Sequence, residues 1–125
     1  MTSATTIKKL LVVDDSKVSR MIIRARVLAV HPDWEIIEAS TGAEGIAMVK
    51  EHQPDFCTMD INMAGMLGTE AAEIISKDTP TIRVVIFSAN IQESVQDRAT
   101  AMGAIFVAKP ITEKSIAEAL HYFLG

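Results

Sequence analysis

The sequence contains a single cysteine, Cys57, which excludes an internal disulfide. It falls in an apolar stretch, where a free thiol behaves as a small buried hydrophobe. Lys and Arg number 12 against 16 Asp and Glu, a formal net charge of −4, and the basic residues form no dense block. Neutralising a phosphate backbone needs a clustered basic surface, so direct nucleic-acid binding is not expected. No apolar run approaches the ~20 residues of a membrane-spanning helix. Residues 1–6 are polar, lack a basic-then-apolar targeting pattern and read as a disordered tail. The expectation is a cytoplasmic protein without membrane contact. The three histidines, His31, His52 and His121, are scattered, without the clustering that a metal or triad site needs. Repeats, low-complexity tracts and linkers are missing too. The chain stops at the end of its last helical pattern, so no output domain is expected.

The 125 residues fit one domain, residues 1–125, with 49% hydrophobic and 22% charged residues. A chain of this size buries roughly 65–70% of its unfolded surface, enough for a core without staples. The seven methionines are spread along it as core filler.

Five apolar stretches alternate with five helical patterns. Residues 7–13 hold Leu10-Leu11-Val12-Val13, a continuous run that suits a strand buried on both faces, and end on Asp14-Asp15. Ser16 can cap a helix there, with Val18, Met21, Ile22, Ala25, Leu28 and Ala29 on one face. His31-Pro32-Asp33 breaks it. Residues 34–39 form a second, more polar strand, as an edge strand can be. Thr41-Gly42-Ala43-Glu44 has the form of a capping box opening a second helix to about His52. The third strand, 56–60, ends on Asp60 and opens into a loop with Gly65 and Gly68. A helix with Ala72, Ile75 and Ser76 inward covers 69–77, and a strand covers 82–87, ending on Ser88-Ala89-Asn90. A weaker helix spans 91–102, closed by Gly103. The strand 105–108 ends on Lys109-Pro110, and Thr112 caps a last helix with Ile116, Leu120, Phe123 and Leu124 on one face. Regular alternation predicts an α/β protein with a parallel sheet and helices on both faces.

In such a sheet, sites lie at the carboxyl ends of the strands. Those ends deliver Asp14, Asp15, Asp60, Ser88 and Lys109 to one rim. Clustered carboxylates stay ionised at low cost only if a cation offsets them. Oxygen ligands without nearby His or Cys suit a hard cation, and Mg²⁺ fits a shallow rim that keeps waters. Pro110 biases Lys109 toward an extended backbone, which aims its side chain across the rim at Asp60 or an anionic substrate oxygen. A metal site, two donors and a free carboxylate nucleophile are the parts of phosphoryl transfer through an aspartyl phosphate.

This pattern resembles the receiver domain of two-component response regulators, from about Lys8 to Leu124. An acidic pair follows the first strand, an Asp the third, Ser-Ala the fourth and Lys-Pro the fifth. The resemblance implies a flavodoxin-like three-layer sandwich with strand order 2-1-3-4-5. It implies Asp60 as phosphoacceptor. Mg²⁺ would be held by Asp15, Asp60 and the Asn62 backbone carbonyl, with Asp14 acting through water. Lys109 would pair with the phosphoryl group, and Ser88 and Phe106 would act as the switch. It also implies a sensor histidine kinase or phosphotransfer protein as phosphodonor. A downstream protein would bind the surface of the fourth helix, fifth strand and fifth helix, with the receiver a monomer or a weak phosphorylation-dependent dimer. Chemotaxis-like motor control or a phosphorelay step would fit, and the chain would catalyse its own phosphorylation and dephosphorylation as a signalling protein, not a turnover enzyme. Two departures stand in the loop after Asp60: Ala64 where the family has Pro, and Leu67 where Asp or Asn is usual. Asn62 and Asn90 occupy positions that tune dephosphorylation in the family. Two other readings use the same residues. One is a degenerate receiver serving as a phosphorylation-independent scaffold. The other is a haloacid-dehalogenase-like phosphatase, which needs an acid where Asn62 stands.

Overall fold

The computed structural model describes residues 7–63 and 65–125. The tail 1–6 and Ala64 lie outside the described residues. The elements run β1 (Lys9–Val13), α1 (Lys17–Val30), β2 (Glu35–Ala39), α2 (Gly42–His52), β3 (Phe56–Asp60), α3 (Gly68–Asp78), β4 (Arg83–Ser88), α4 (Glu93–Ala101), β5 (Ile105–Ala108) and α5 (Glu113–Leu124). The strands form one sheet in the order β2-β1-β3-β4-β5, every neighbouring pair parallel.

Strand periodicity divides the core in two. Side chains alternate across a strand. Leu11 and Val13 of β1 therefore join Cys57, Met59, Val84 and Ile86 on one face, under Val49 of α2, Ala71, Ala72 and Ile75 of α3, and Ala99 of α4. Leu10 and Val12 join Phe56, Val85, Phe87 and Val107 on the other, under Ile23 and Val27 of α1 and Ile116, Ala119, Leu120 and Phe123 of α5. A chain of stacked rings lies at the amino end of that second core. His31 stacks on Trp34 at 4.4 Å, Trp34 meets Phe56 at 5.2 Å, and Phe56 stacks on Phe123 at 4.7 Å.

Alpha-helix α1 turns the other way from the face expected of it. Ile23 and Val27 are buried, whereas Val18, Met21 and Ile22 are 65%, 56% and 37% exposed. The helix carries two apolar stripes on opposite sides, and counting favours the wrong one. The side that buries Ile23 and Val27 also carries Arg20 and Arg24, whose guanidinium groups lie 2.9 and 3.0 Å from Glu38 of β2. Smaller differences concern ends. Strand β4 takes in Ser88, and α4 is shorter than expected, leaving Ile91 exposed. Leu124 faces solvent, and Ala119 takes the inward place. In α2, Thr41 accepts from the Glu44 amide at 3.0 Å, but Glu44 reaches past the cap to the Ser40 amide at 2.6 Å.

Candidate phosphoryl-transfer site

Three strand ends meet at the carboxyl edge of the sheet. Strands β1 and β3 are neighbours, with Val13 in register with Met59, so Asp14 and Asp60 leave the sheet side by side. Asp14 is 1% exposed and Asp60 6%, while Asp15 is exposed. One carboxylate oxygen from each of Asp14, Asp15 and Asp60 lies within 4.8 Å of the others. Lys109 enters from β5. Its ammonium donates to Asp14 Oδ2 at 3.0 Å and stands 3.5 Å from Asp60 Oδ1. The expected pairing with Asp60 is therefore shared, and Asp14 is the tighter partner. The other Asp14 oxygen, Oδ1, accepts from the Ser16 amide at 2.9 Å. The Lys109–Pro110 peptide is cis.

These contacts set the charge states. The Asp60 carboxyl lies above its ordinary range, first because burial penalises the ion and next because Asp14 repels it. Lys109 and the Ile61 amide pull the other way, and Asp15 adds further repulsion. For Lys109, burial favours the neutral amine, yet the hydrogen bond and charge of Asp14, with Asp60 behind them, outweigh it and push its pKa up. Lys109 is thus a fixed cation facing two acids. Cys57, fully buried under α3, is pushed up to about 12 by burial and is inert, as a core thiol should be.

The loop after Asp60 is built by close backbone approach. The Ile61 carbonyl accepts from both the Met63 and the Gly68 amides, at 3.1 and 3.0 Å. A Cβ on Gly68 would sit 1.8 Å from the Asp60 carbonyl oxygen, so only glycine lets α3 start against the end of β3. Asn62 is exposed on this loop, next to the rim.

Ser88 is completely buried at the end of β4, and its hydroxyl accepts from the Asn90 amide at 2.9 Å. The Lys109 amide donates to the Ser88 carbonyl at 2.9 Å, which ties the two strand ends together. Ser88 pairs in register with Ala108, and Ile86 with Phe106. Ser88 and Phe106 therefore lie on one sheet face, two strand positions apart, with Phe106 half-buried against the α3–α4 core.

The structure thus brings Asp14, Asp15, Asp60 and Lys109 into one cluster and sets Ser88 at its border. Two contributors escaped the sequence reading. Gly68 was visible only as a loop glycine, since nothing in a sequence marks which carbonyl its missing side chain admits. Arg20 donates from Nη1 to the Asp14 carbonyl at 2.7 Å. In sequence it is indistinguishable from any solvated helix arginine.

A parallel sheet in the order 2-1-3-4-5, with helices on both faces and three carboxylates and a lysine at the carboxyl edge where such sheets bind ligands, defines a doubly wound α/β protein. Within that class, residues 10–121 match the response regulator receiver domain, and the chain belongs to that family. It is 35% identical over 119 residues to the chemotaxis protein CheY of Bacillus subtilis, covering 94% of this chain and 98% of that protein. It is likewise 35% identical over 114 residues to the response regulator protein VraR of Staphylococcus aureus, covering 90% of this chain but 54% of VraR. The response regulator domain of Thermotoga maritima CheB superposes with a TM-score of 0.82 at 31% identity, covering 95% of each chain. The protein is a CheY-like receiver of two-component signalling; the receiver family suggested by its motifs holds, as does the strand order that the resemblance implied. Among the described residues, no helix is long and apolar enough to cross a membrane.

Proposed function

We propose that Asp60 accepts a phosphoryl group from a phosphohistidine of a sensor kinase or phosphotransfer protein. The chain acts as one receiver domain over residues 1–125, in the cytoplasm. The observation that carries this reading is the rim itself: three carboxylates within 4.8 Å of one another, and a lysine touching two of them. The donor set is all oxygen, with one exposed acid at its outer side, and fits Mg²⁺ held by Asp15, Asp60 and the Asn62 carbonyl, with Asp14 acting through water. When bound, that ion neutralises charge on the transferring phosphoryl oxygens.

The chain's own residues supply the rest. An Asp60 oxygen attacks phosphorus in line; the new O–P bond forms as the donor's P–N bond breaks, and the pair of electrons leaves with the imidazole. Lys109 faces the incoming oxygens as a fixed positive charge. Water attack on phosphorus later breaks the O–P bond and returns the carboxylate. Asn62 and Asn90 flank the path of that water. The hydroxyl of Ser88 exchanges its Asn90 amide for a phosphoryl oxygen, and Phe106, on the same sheet face, follows. That rearrangement is read on the α4–β5–α5 surface by a downstream protein, with the receiver monomeric or weakly dimeric. The apolar residues α1 shows to solvent, Val18, Met21 and Ile22, follow closely on Asp15 and give a phosphodonor an apolar footing beside the rim.

Incubation with acetyl phosphate and Mg²⁺, followed by intact mass measurement, tests the reaction. A single phosphoryl adduct is expected, absent in Asp60→Ala and absent in chelator. An adduct that survives Asp60→Ala overturns the assignment. A scaffold would show no adduct on the wild type either.

A further inference from the structure

The step between β1 and α1 carries Asp14 and Asp15, and it is tied at four atoms. The Asp14 amide donates to the Ala39 carbonyl at 3.1 Å. Its carboxylate accepts from the Ser16 amide at 2.9 Å and from Lys109 at 3.0 Å. Its carbonyl accepts from Arg20 Nη1 at 2.7 Å. The first three belong to the sheet, the turn and the rim. The fourth comes from a side chain with no other part in the site.

Arg20 is itself held. Its side chain is 16% exposed, and its Nε donates to Glu38 Oε1 at 2.9 Å. The second oxygen of Glu38 accepts from Arg24 at 3.0 Å, and Arg24 Nη1 also reaches the Ile36 carbonyl at 3.4 Å. Glu38 is therefore clamped between two guanidinium groups on β2. The planar fork of Arg20 spans from that anchor to one peptide oxygen, a geometry that a lysine cannot reproduce.

The oxygen matters because of its peptide. The Asp14 carbonyl lies in one plane with the Asp15 amide. Fixing the oxygen fixes the plane, and the plane sets where the Asp15 side chain leaves the backbone. Asp15 is exposed, and among the described residues no hydrogen bond holds its carboxylate. Its aim toward Asp14 and Asp60 rests on its backbone.

We propose that Arg20 is a positioning residue of the receiver site: anchored on Glu38, it holds the Asp14–Asp15 peptide so that the Asp15 carboxylate stays with Asp60. This rests on reading the rim as a divalent-cation site. The test is calorimetric titration of the metal-free full chain with Mg²⁺, alongside amide hydrogen exchange at Ser16. It compares wild type with Arg20→Ala, Arg20→Lys and Arg24→Ala. Outer partners of metal ligands characteristically matter by tenfold or more, so Arg20→Ala is expected to weaken Mg²⁺ by about tenfold. Arg20→Lys should recover only part of the loss. Arg24→Ala, which cuts the same Glu38 network without touching the Asp14 carbonyl, should leave Mg²⁺ affinity as in wild type while lowering stability. Ser16 exchange should quicken in Arg20→Ala and not in Arg24→Ala. With acetyl phosphate, Arg20→Ala should need more Mg²⁺ for the half-maximal rate and reach the wild-type rate at saturation. Unchanged affinity in Arg20→Ala, or an equal loss in Arg24→Ala, overturns the proposal. If wild type binds no Mg²⁺, the cation reading falls separately. The metal-free Ser16 exchange then decides the positioning role, where faster exchange in Arg20→Ala alone upholds it and equal exchange overturns it. Arg20→Lys serves the same comparisons should Arg20→Ala not fold.

Discussion

Asp60 is pulled in opposite directions: burial and two neighbouring acids disfavour its charge, and Lys109 and the Ile61 amide favour it. Burial and the two acids win, and its pKa rises above the ordinary carboxylate range. A group raised on folding contributes stability below its unfolded pKa and loses that contribution as pH climbs through the folded value. At neutral pH the ionised Asp60 therefore opposes the metal-free fold. Asp60→Asn is expected to raise the melting temperature at pH 7 in chelator. The gain should shrink as pH falls and Asp60 itself becomes neutral, and added Mg²⁺ should reduce it by stabilising the wild type. A melting series over pH with both proteins checks this. Gly68 is the second critical residue. Gly68→Ala places a methyl carbon 1.8 Å from the Asp60 carbonyl, which is backbone and cannot step aside. A loss of at least about 1–3 kcal/mol is expected in urea unfolding, with slower phosphorylation as Asp60 shifts. The acids and Lys109 were legible because polar residues ending otherwise apolar strands are few. Gly68 and Arg20 were not, since both act through backbone oxygens that leave no mark in a sequence.

At the scale of elements, the strands were readable nearly to the residue, and the helices less so. A strand buried on both faces is a short continuous apolar run, and β3 has the expected bounds, Phe56–Asp60. Helix α1 shows the limit of periodicity. With apolar residues on two sides, its pattern does not say which side meets the sheet, and the contacts made there, Ile23 and Val27 in the core and Arg20 and Arg24 on Glu38, are long-range. The two stripes make opposite predictions. Ile23→Ala, 1% exposed in the wild type, should cost about 2–5 kcal/mol. Met21→Ala, at 56% exposed, should change stability by no more than about 0.5 kcal/mol. Urea denaturation of both variants checks the orientation, and the reverse ranking would mean that the helix is turned as its periodicity suggests.

Across the whole molecule, the parallel sheet separates two cores and gathers the chemistry at one edge. Strand order came from the resemblance and not from periodicity, because alternation of helix and strand does not say which parallel strands are neighbours. The order matters for function: placing β3 between β1 and β4 sets Asp60 between the acidic pair and Ser88, with Lys109 reaching over from β5. Each of those residues is unremarkable at its own strand end and acquires a role only through this adjacency. This adjacency puts the phosphoryl group on Asp60 and on neither acid beside it. Its most direct test is borohydride reduction of the acetyl-phosphate-treated protein, followed by peptide mass spectrometry, since hydride converts an aspartyl phosphate to homoserine. Homoserine at position 60, and only after treatment with Mg²⁺, is the predicted result. Homoserine at position 14 or 15, or none at all on a phosphorylated chain, would contradict it.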